Sequence, residues 1–195
     1  MIKASTALRT RSAHWTCGGG RSAGGVNGQD TRGFTFGGSA TFTGAATGSG
    51  NITYKWQVNS GSGWSDIANA TASSYTLTNA TMAMNNNQYR FVASSGCGDI
   101  TSNAATLTVN KASQTITFAA LAAKTYGDAA FSLSASASSG LTVSYASSDA
   151  TVASISGNTV TILKAGTVNI TASQAGDGNY NAATSVTQSL TINKA

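Results

Sequence analysis

Apolar and polar residues alternate with a period of two along most of the chain after residue 33. Ala40 and Phe42 fall on one face of the first clear segment, and Tyr54, Trp56 and Val58 fall on one face of the next. Alternation of this kind, in short runs bounded by Gly, Asn or Ser, predicts half-buried β-strands joined by turns. Further strands are predicted at residues 64–67, 75–77, 89–93 and 104–109.

The same pattern continues into the second half of the chain. Turns are predicted at Gly157-Asn158 and Ala165-Gly166, between alternating runs. The apolar side chains of these runs are expected to be buried on one face: Val160, Ile162, Val168 and Ile170. By contrast, residues 1–32 have no apolar periodicity and contain two glycine-rich stretches, which is typical of a linker or an arm.

A six-residue string in the middle of the chain returns at its end. The chain contains LTVNKA from Leu107 and, 83 residues later, LTINKA from Leu190. A repeat period near 80 in a strand-rich sequence is the length of one small β-sandwich. The repeat therefore predicts an all-β chain with a glycine-rich basic arm or linker at residues 1–32 and β-sandwiches at residues 33–112 and 113–195.

Composition narrows the classes of function. Charged residues make up 9% of the chain, whereas an ordinary globular chain has about 25%. The net charge of +5 is concentrated in residues 1–32, which hold five Lys or Arg against one Asp. Nucleic-acid binding requires cations clustered with aromatic side chains on a folded face, so we expect no nucleic-acid partner. No apolar run is long enough for a membrane helix, and we expect no membrane insertion.

Four aromatic positions in the first predicted sandwich have an informative spacing. Phe42, Trp56, Tyr89 and Phe91 resemble the immunoglobulin pattern of an inward residue on strand B, a tryptophan on strand C, and a tyrosine two positions before the strand F site. In antibody domains, cysteines occupy the positions of Phe42 and Phe91. The resemblance implies an Ig-like sandwich with these four residues in its core, and a Tyr89 hydroxyl that returns to the backbone as in a tyrosine corner.

The second predicted sandwich resembles bacterial Ig-like repeats. The string TYGD from Thr125 is similar to the MBG family, of the YGX type, and residues 152–172 are similar to the hairpin of group 2 bacterial Ig-like domains. Such modules occur in large surface or secreted proteins and in adhesins. The resemblance implies two tandem Ig-like β-sandwiches preceded by an irregular N-terminal arm, located outside the cell or on its surface.

Residues with catalytic chemistry are sparse. His14 is the only histidine, so a histidine-dependent triad is not expected within either sandwich. The carboxylates after residue 32 are isolated in sequence and are interpreted as turn or cap residues: Asp66, Asp99, Asp128, Asp149 and Asp177. We therefore expect no enzyme activity, no metal and no cofactor. Cys17 and Cys97 permit one disulfide, and the sequence leaves open whether they pair.

These observations predict a non-catalytic structural or adhesive module whose partners are other copies of the chain or neighbouring Ig-like modules. A sharper hypothesis is a filament subunit, in which an edge strand or the arm of residues 1–32 pairs with the next subunit by β-strand addition. The alternative hypothesis is a carbohydrate-binding accessory module of a secreted enzyme. Its ligand would be a surface polysaccharide, and its contact residues would be Trp64 and Tyr180.

Overall fold

The computed structural model describes residues 6–8, 33–46, 51–96 and 98–195. The chain divides into two compact units, Met1–Lys111 and Ala112–Ala195. Both units are built of β-strands, and the only helical element of the described residues is the short 3-10 helix Met82–Met84. The predicted all-β class, with two Ig-like sandwiches in tandem, is confirmed. Within the predicted irregular arm, Thr6–Leu8 form a strand, and the rest of the arm lies outside the described residues.

The strands of the first unit are β1 (Thr6–Leu8), β2 (Phe34–Thr35), β3 (Ala40–Thr43), β4 (Thr53–Asn59), β5 (Trp64–Asp66), β6 (Ser74–Leu77), β7 (Gln88–Ser95), β8 (Gly98–Thr101), β9 (Ala105–Thr106) and β10 (Val109–Asn110). One sheet has the order β1-β3-β6, and the other has the order β5-β4-β7-β8, with β9 also paired to β7. β2 pairs in parallel with β10, the last strand of the unit. This is the arrangement of a small Ig-like sandwich, because the two sheets enclose one core.

The core of the first sandwich is aromatic. Phe42, Trp56 and Phe91 are each only 1% exposed, and Tyr89 is 3% exposed. The rings of Phe42 and Tyr89 stack with their centroids 4.5 Å apart, and those of Trp56 and Phe91 lie 5.2 Å apart. The Trp56 indole Nε1 donates a hydrogen bond of 3.1 Å to the carbonyl oxygen of Ala72, so its polar group is satisfied within the core. Aromatic packing therefore joins the two sheets at the positions that a disulfide bridges in antibody domains.

Tyr89 is buried in the aromatic core, and its role as a tyrosine corner stays a prediction. Burial raises the pKa of Tyr89, and the Asn87 hydrogen bond opposes part of that rise. The phenol is therefore neutral at physiological pH.

The strand that the alternation predicts at residues 104–109 is divided in two. Ala105–Thr106 pair antiparallel with β7, whereas Val109–Asn110 pair in parallel with β2. Leu107, between the two segments, is fully buried, and the amide of Val109 donates to the side-chain oxygen of Asn85 over 2.8 Å. The chain changes its pairing partner here, so one continuous pattern corresponds to two short strands.

The strands of the second unit are β11 (Ile116–Phe118), β12 (Lys124–Thr125), β13 (Phe131–Ser132), β14 (Ala135–Ala137), β15 (Ser144–Ser147), β16 (Ala153–Ser156), β17 (Thr159–Ile162), β18 (Gly166–Ser173) and β19 (Val186–Asn193). They form sheets with the orders β12-β19-β18-β15 and β13-β17-β16, and β11 pairs with β14. Val168, Ile170 and Leu190 are 0–3% exposed in the core.

Of the two turns predicted in this unit, one joins paired strands and the other does not. Gly157, with φ +60°, and Asn158 form the tight turn of the β16–β17 hairpin. The bend before Gly166 instead carries the chain from β17 into the other sheet, where β18 pairs with β19 and β15. The four apolar residues predicted to share a face all belong to one core, with Ile162 only partly buried. They reach that core from two opposed sheets.

Candidate functional site

A group of polar side chains lies across three neighbouring strands of the first unit, and we call it the Trp64 cluster: Lys55, Gln57, Trp64, Asp66 and Arg90. The Arg90 guanidinium carbon is 4.1 Å from the centroid of the Trp64 ring, within the range of a cation–π contact. Arg90 Nε donates to Gln57 Oε1 over 2.6 Å, and Gln57 Nε2 donates to Asp66 Oδ1. Lys55 Nζ lies 3.1 Å from Asp66 Oδ2.

The Asp66 carboxylate is the electrostatic centre of this cluster. The hydrogen bond from Gln57 lowers the pKa of Asp66, and the hydrogen bond and positive charge of Lys55 lower it further. The carboxyl is solvent-exposed, so the ion pair with Lys55 contributes little to stability. The Gln57 side chain thus links the Asp66 carboxylate to Arg90, which lies over the Trp64 ring.

Replacing Gln57 with alanine is expected to raise the pKa of Asp66 toward its ordinary value of 3.8, because the hydrogen bond with the largest effect on the carboxylate is lost. Carbon-detected NMR titration of the aspartate side chains measures this shift. Asp149 is the internal control, because its pKa is lowered by hydrogen bonds from Thr151 in the other unit. An Asp66 pKa that stays the same in Gln57→Ala would contradict the assigned cause.

The two predicted ligand-contact aromatics lie in different units. Trp64 is half-buried, and one face of its ring is covered by Arg90, so a sugar could stack only on the opposite face or by displacing the guanidinium. Tyr180 is also half-buried and lies in a closed loop, where its amide donates to Asp177 Oδ1 over 2.8 Å. A third aromatic, Tyr126, is the most exposed aromatic of the described residues, at 51%. The contact role of Trp64 and Tyr180 stays a prediction.

Most carboxylates of the described residues are engaged in local structure. Asp128 Oδ2 accepts the amide of Thr125 over 2.9 Å, and Asp149 Oδ1 accepts both the amide and the hydroxyl of Thr151. Asp177 Oδ1 accepts two amides of its own loop. Among the described residues, no three His, Cys, Asp or Glu side chains are grouped as a metal ion would require. His14, Cys17 and Cys97 lie outside those residues, so the disulfide is untested.

A groove of about 860 Å³ opens beside β14 and β15 in the second unit. Its lining includes Leu133, Leu141, Val143 and Tyr145 and carries no charged side chain. Tyr145 and Ala135 both line the groove, and the Tyr145 hydroxyl accepts a hydrogen bond of 2.8 Å from the amide of Ala135. This surface is suited to an uncharged occupant.

The edges of the sheets are a second kind of interaction surface. In the first unit, β1 lies at the edge of its sheet and pairs in parallel with β3, with Ala7 opposite Thr41. The other edge of β3 is occupied by β6, in antiparallel register. Sequence reasoning named the arm as an assembly element but gave no signal for this strand, because three residues are too few to form a recognisable alternation.

The fold and these surfaces define a tandem Ig-like β-sandwich protein. Residues 24–111 match the family model described as Domain of unknown function (DUF8696). The match covers less than half of the chain. It includes all of the first unit from β2 to β10, and its description assigns no activity.

One curated relative is an enzyme. A stretch of 81 residues, which is 42% of the chain, is 38% identical to Endoglucanase C of Cellulomonas fimi. This stretch corresponds to 7% of the length of that protein. The similarity is therefore to one small part of a much larger protein.

Solved structures with similar folds contain several Ig domains. Sidekick-1 immunoglobulin domains 1–5 match 96% of the chain at 14% identity and a TM-score of 0.37, over 38% of their own length. The N-terminal four Ig domains of Dscam1 isoform 1.9 match 84% of the chain at 13% identity and a TM-score of 0.35, over 43% of theirs. The chain thus spans less than half of either structure. In the residues that the structure describes, no helix is long and apolar enough to cross a membrane.

Proposed function

We propose that the chain is a non-catalytic structural or adhesive part of a bacterial protein that is secreted or displayed on the cell surface, and that its copies associate by β-strand addition. The observation that carries the proposal is the β1–β3 pairing. A segment separated from the sandwich by residues 9–32 is hydrogen-bonded into its sheet. Strand addition of this kind is a general mode of association, because main-chain hydrogen bonds supply affinity without a dedicated pocket.

The character of the two sandwiches supports this proposal. We infer that they are separate domains at residues 33–112 and 113–195, with a basic arm or linker before them. The long strands β18 and β19 pair over seven residue positions, and hydrogen bonds in such a ladder resist force together. The exposed strand residues are mostly hydroxyl and amide side chains, as in the cross-strand pair Thr171 and Thr187, whose hydroxyl oxygens lie 2.9 Å apart. A neutral, hydrated surface of this type suits a spacer.

We also propose that the second unit is a bacterial Ig-like repeat of the MBG type. The motif residues that carry the resemblance form the turn after β12. Gly127 has φ +101°, a conformation that favours glycine, and Asp128 accepts the amide of Thr125. The amide of Tyr126 donates to the carbonyl oxygen of Asn193 at the end of β19, over 2.9 Å. Gly127 and Asp128 of the motif therefore have a structural role in this turn.

The test of this function is electron microscopy of the purified chain. We expect the full chain to form fibres, and we expect deletion of residues 1–32 to abolish them, because the deletion removes the added strand. The matched variant carries Ala7→Pro and Leu8→Pro, since proline at two successive positions removes the main-chain donors of this strand and keeps the length and positive charge of the arm. Fibres formed equally well by the deleted chain or by this variant would contradict association through this strand.

A second candidate function is a carbohydrate-binding accessory module, and the similarity to part of Endoglucanase C favours it. The face of the Trp64 ring opposite Arg90 would be its stacking surface. Titration of the purified chain with soluble cello-oligosaccharides tests this second candidate. Quenching of tryptophan fluorescence that is lost in Trp64→Ala would support this candidate, and unchanged fluorescence in the unaltered chain would rule out Trp64 as a contact.

A further inference from the structure

The outer edge of β3 is occupied by a segment that is distant in sequence. In the parallel β1–β3 pairing, Ala7 lies opposite Thr41. On its other edge, β3 pairs with β6, so that Thr41 also lies opposite Thr76, and their hydroxyl oxygens are 3.1 Å apart. β3 is therefore a central strand only because β1 has been added to it.

In the second unit, the strand that covers the equivalent edge is close in sequence to the strands it joins. There, β12 pairs in parallel with the last strand, as β2 does in the first unit, and the strands that follow are β13 and β14. The edge of β14 is covered by β11 in antiparallel register, and only residues 119–123 separate β11 from β12. In the first unit, residues 9–33 separate the covering strand β1 from β2. The two sandwiches thus cover the equivalent edge with strands that differ in their distance along the chain.

An uncovered β3 edge would be a strong site for strand addition. Ala40 and Phe42 of β3 are 0% and 1% exposed, which ties this strand firmly into the core. A well-ordered edge strand presents unpaired N–H and C=O groups that act as a template for another strand. Without β1, this edge would therefore be open to a donor strand.

Being part of the same chain gives β1 only a limited advantage over the β1 strand of another copy in pairing with β3. A parallel pair needs a connection of about a dozen residues or more, and residues 9–39 provide it. A connection of this length sets an effective concentration of at most about 1 mM. At chain concentrations that approach this value, the same pairing can form between chains.

We propose that the outer edge of β3 is a strand-acceptor site, and that in an assembly its occupant is the segment Thr6–Leu8 of a second copy of the chain. This inference rests on the proposed function, because it specifies the donor and the acceptor of the strand addition suggested there. The contact is made by main-chain hydrogen bonds in parallel register, and it leaves each copy with one donor and one acceptor. Such head-to-tail pairing continues into a filament when it does not close into a ring.

Disulfide trapping between two full-length chains tests this site. Both chains carry Cys17→Ser and Cys97→Ser, one carries Ala7→Cys, and the other carries Thr41→Cys. Neighbouring strands hold paired Cα atoms within the range that a disulfide spans. On mild oxidation of the mixture, we expect a dimer that contains one chain of each kind, with a bond between positions 7 and 41 identified by mass spectrometry.

The matched control replaces Thr41→Cys with Thr76→Cys. Thr76 is exposed and lies opposite Thr41 on the far edge of the same sheet, so it is available to random collision but not to the added strand. We expect the position 41 mixture to give at least about tenfold more mixed dimer than this control, since pairing holds the two thiols together at a high effective concentration. Equal yields in the two mixtures would overturn the inference.

A single chain with both Ala7→Cys and Thr41→Cys provides a second readout. We expect this chain to form disulfide-linked multimers when fibres form. If oxidation of these fibres gives only internal disulfides, the donor comes from the same chain and the inference fails. Fibres without a bond between copies would overturn this inference and leave the proposed association intact, whereas mixed dimers without fibres would support the acceptor site and contradict the filament. Far-UV circular dichroism of each variant verifies that the sandwiches are folded.

Discussion

Replacing Trp56 with alanine is expected to give the largest loss of stability of any single substitution in the first sandwich. The side chain is 1% exposed, its ring contacts those of Phe42 and Phe91, and its indole nitrogen satisfies the carbonyl of Ala72. Truncation of a buried tryptophan to alanine costs about 3–5 kcal/mol through lost burial and the cavity left behind. A sandwich of this size has a total stability of only about 4–12 kcal/mol, so we expect it to be largely unfolded in moderate urea.

Urea denaturation followed by far-UV circular dichroism measures this effect. The matched control is Trp64→Ala, because Trp64 is half-buried outside the aromatic core and contacts Arg90. Trp64→Ala is expected to lower the free energy of unfolding by only about 1 kcal/mol, the usual scale of a surface cation–π contact. If the two substitutions lowered the free energy of unfolding equally, the assignment of Trp56 as the centre of the core would be wrong.

Replacing Leu190 with alanine is expected to have the corresponding effect in the second sandwich. Leu190 is fully buried on β19, opposite Val168 of β18, at the third of the seven paired positions of these two strands. A leucine-to-alanine change at such a site costs about 2–5 kcal/mol. We expect the amides of β18 and β19 to exchange with solvent faster, because openings of this unit become more populated.

Hydrogen–deuterium exchange read by mass spectrometry locates this change to particular peptides. Ser189→Ala is the control, since Ser189 is the preceding residue on the same strand and its side chain is exposed. We expect its exchange pattern to match that of the unaltered chain. Unchanged protection of β18 and β19 in Leu190→Ala would show that this strand pair does not depend on the Leu190 side chain.

The buried face of β3 could be predicted from sequence because its pattern is local within the strand. Period-two alternation places Phe42 beside Ala40 on one face of β3, and both are buried. The same rule was insufficient for residues 104–109, where one alternating run contains two strands. Alternation determines which side of a strand is apolar, and it contains no information about the neighbour to which the strand is hydrogen-bonded.

The Trp64 cluster shows the same limit for a candidate site. Trp64 could be selected from sequence as an aromatic residue near a turn, but the residue that covers its ring is Arg90, 26 positions later. Arg90 lies on β7, and Trp64 lies on β5, with β4 between them in the sheet. Only the order of the strands brings the two residues together, so the cation–π contact could not be predicted.

By itself, the sequence determined that the chain is all-β, because period-two alternation depends on residues close together along each strand. The placement of Phe42, Trp56, Tyr89 and Phe91 in the first sandwich came from their resemblance to the immunoglobulin pattern. Tertiary structure alone decided that β17 and β18 belong to opposed sheets and that Thr6–Leu8 cover the edge of β3. Both depend on hydrogen bonds between segments far apart in sequence, and a side-chain period leaves those partners unspecified.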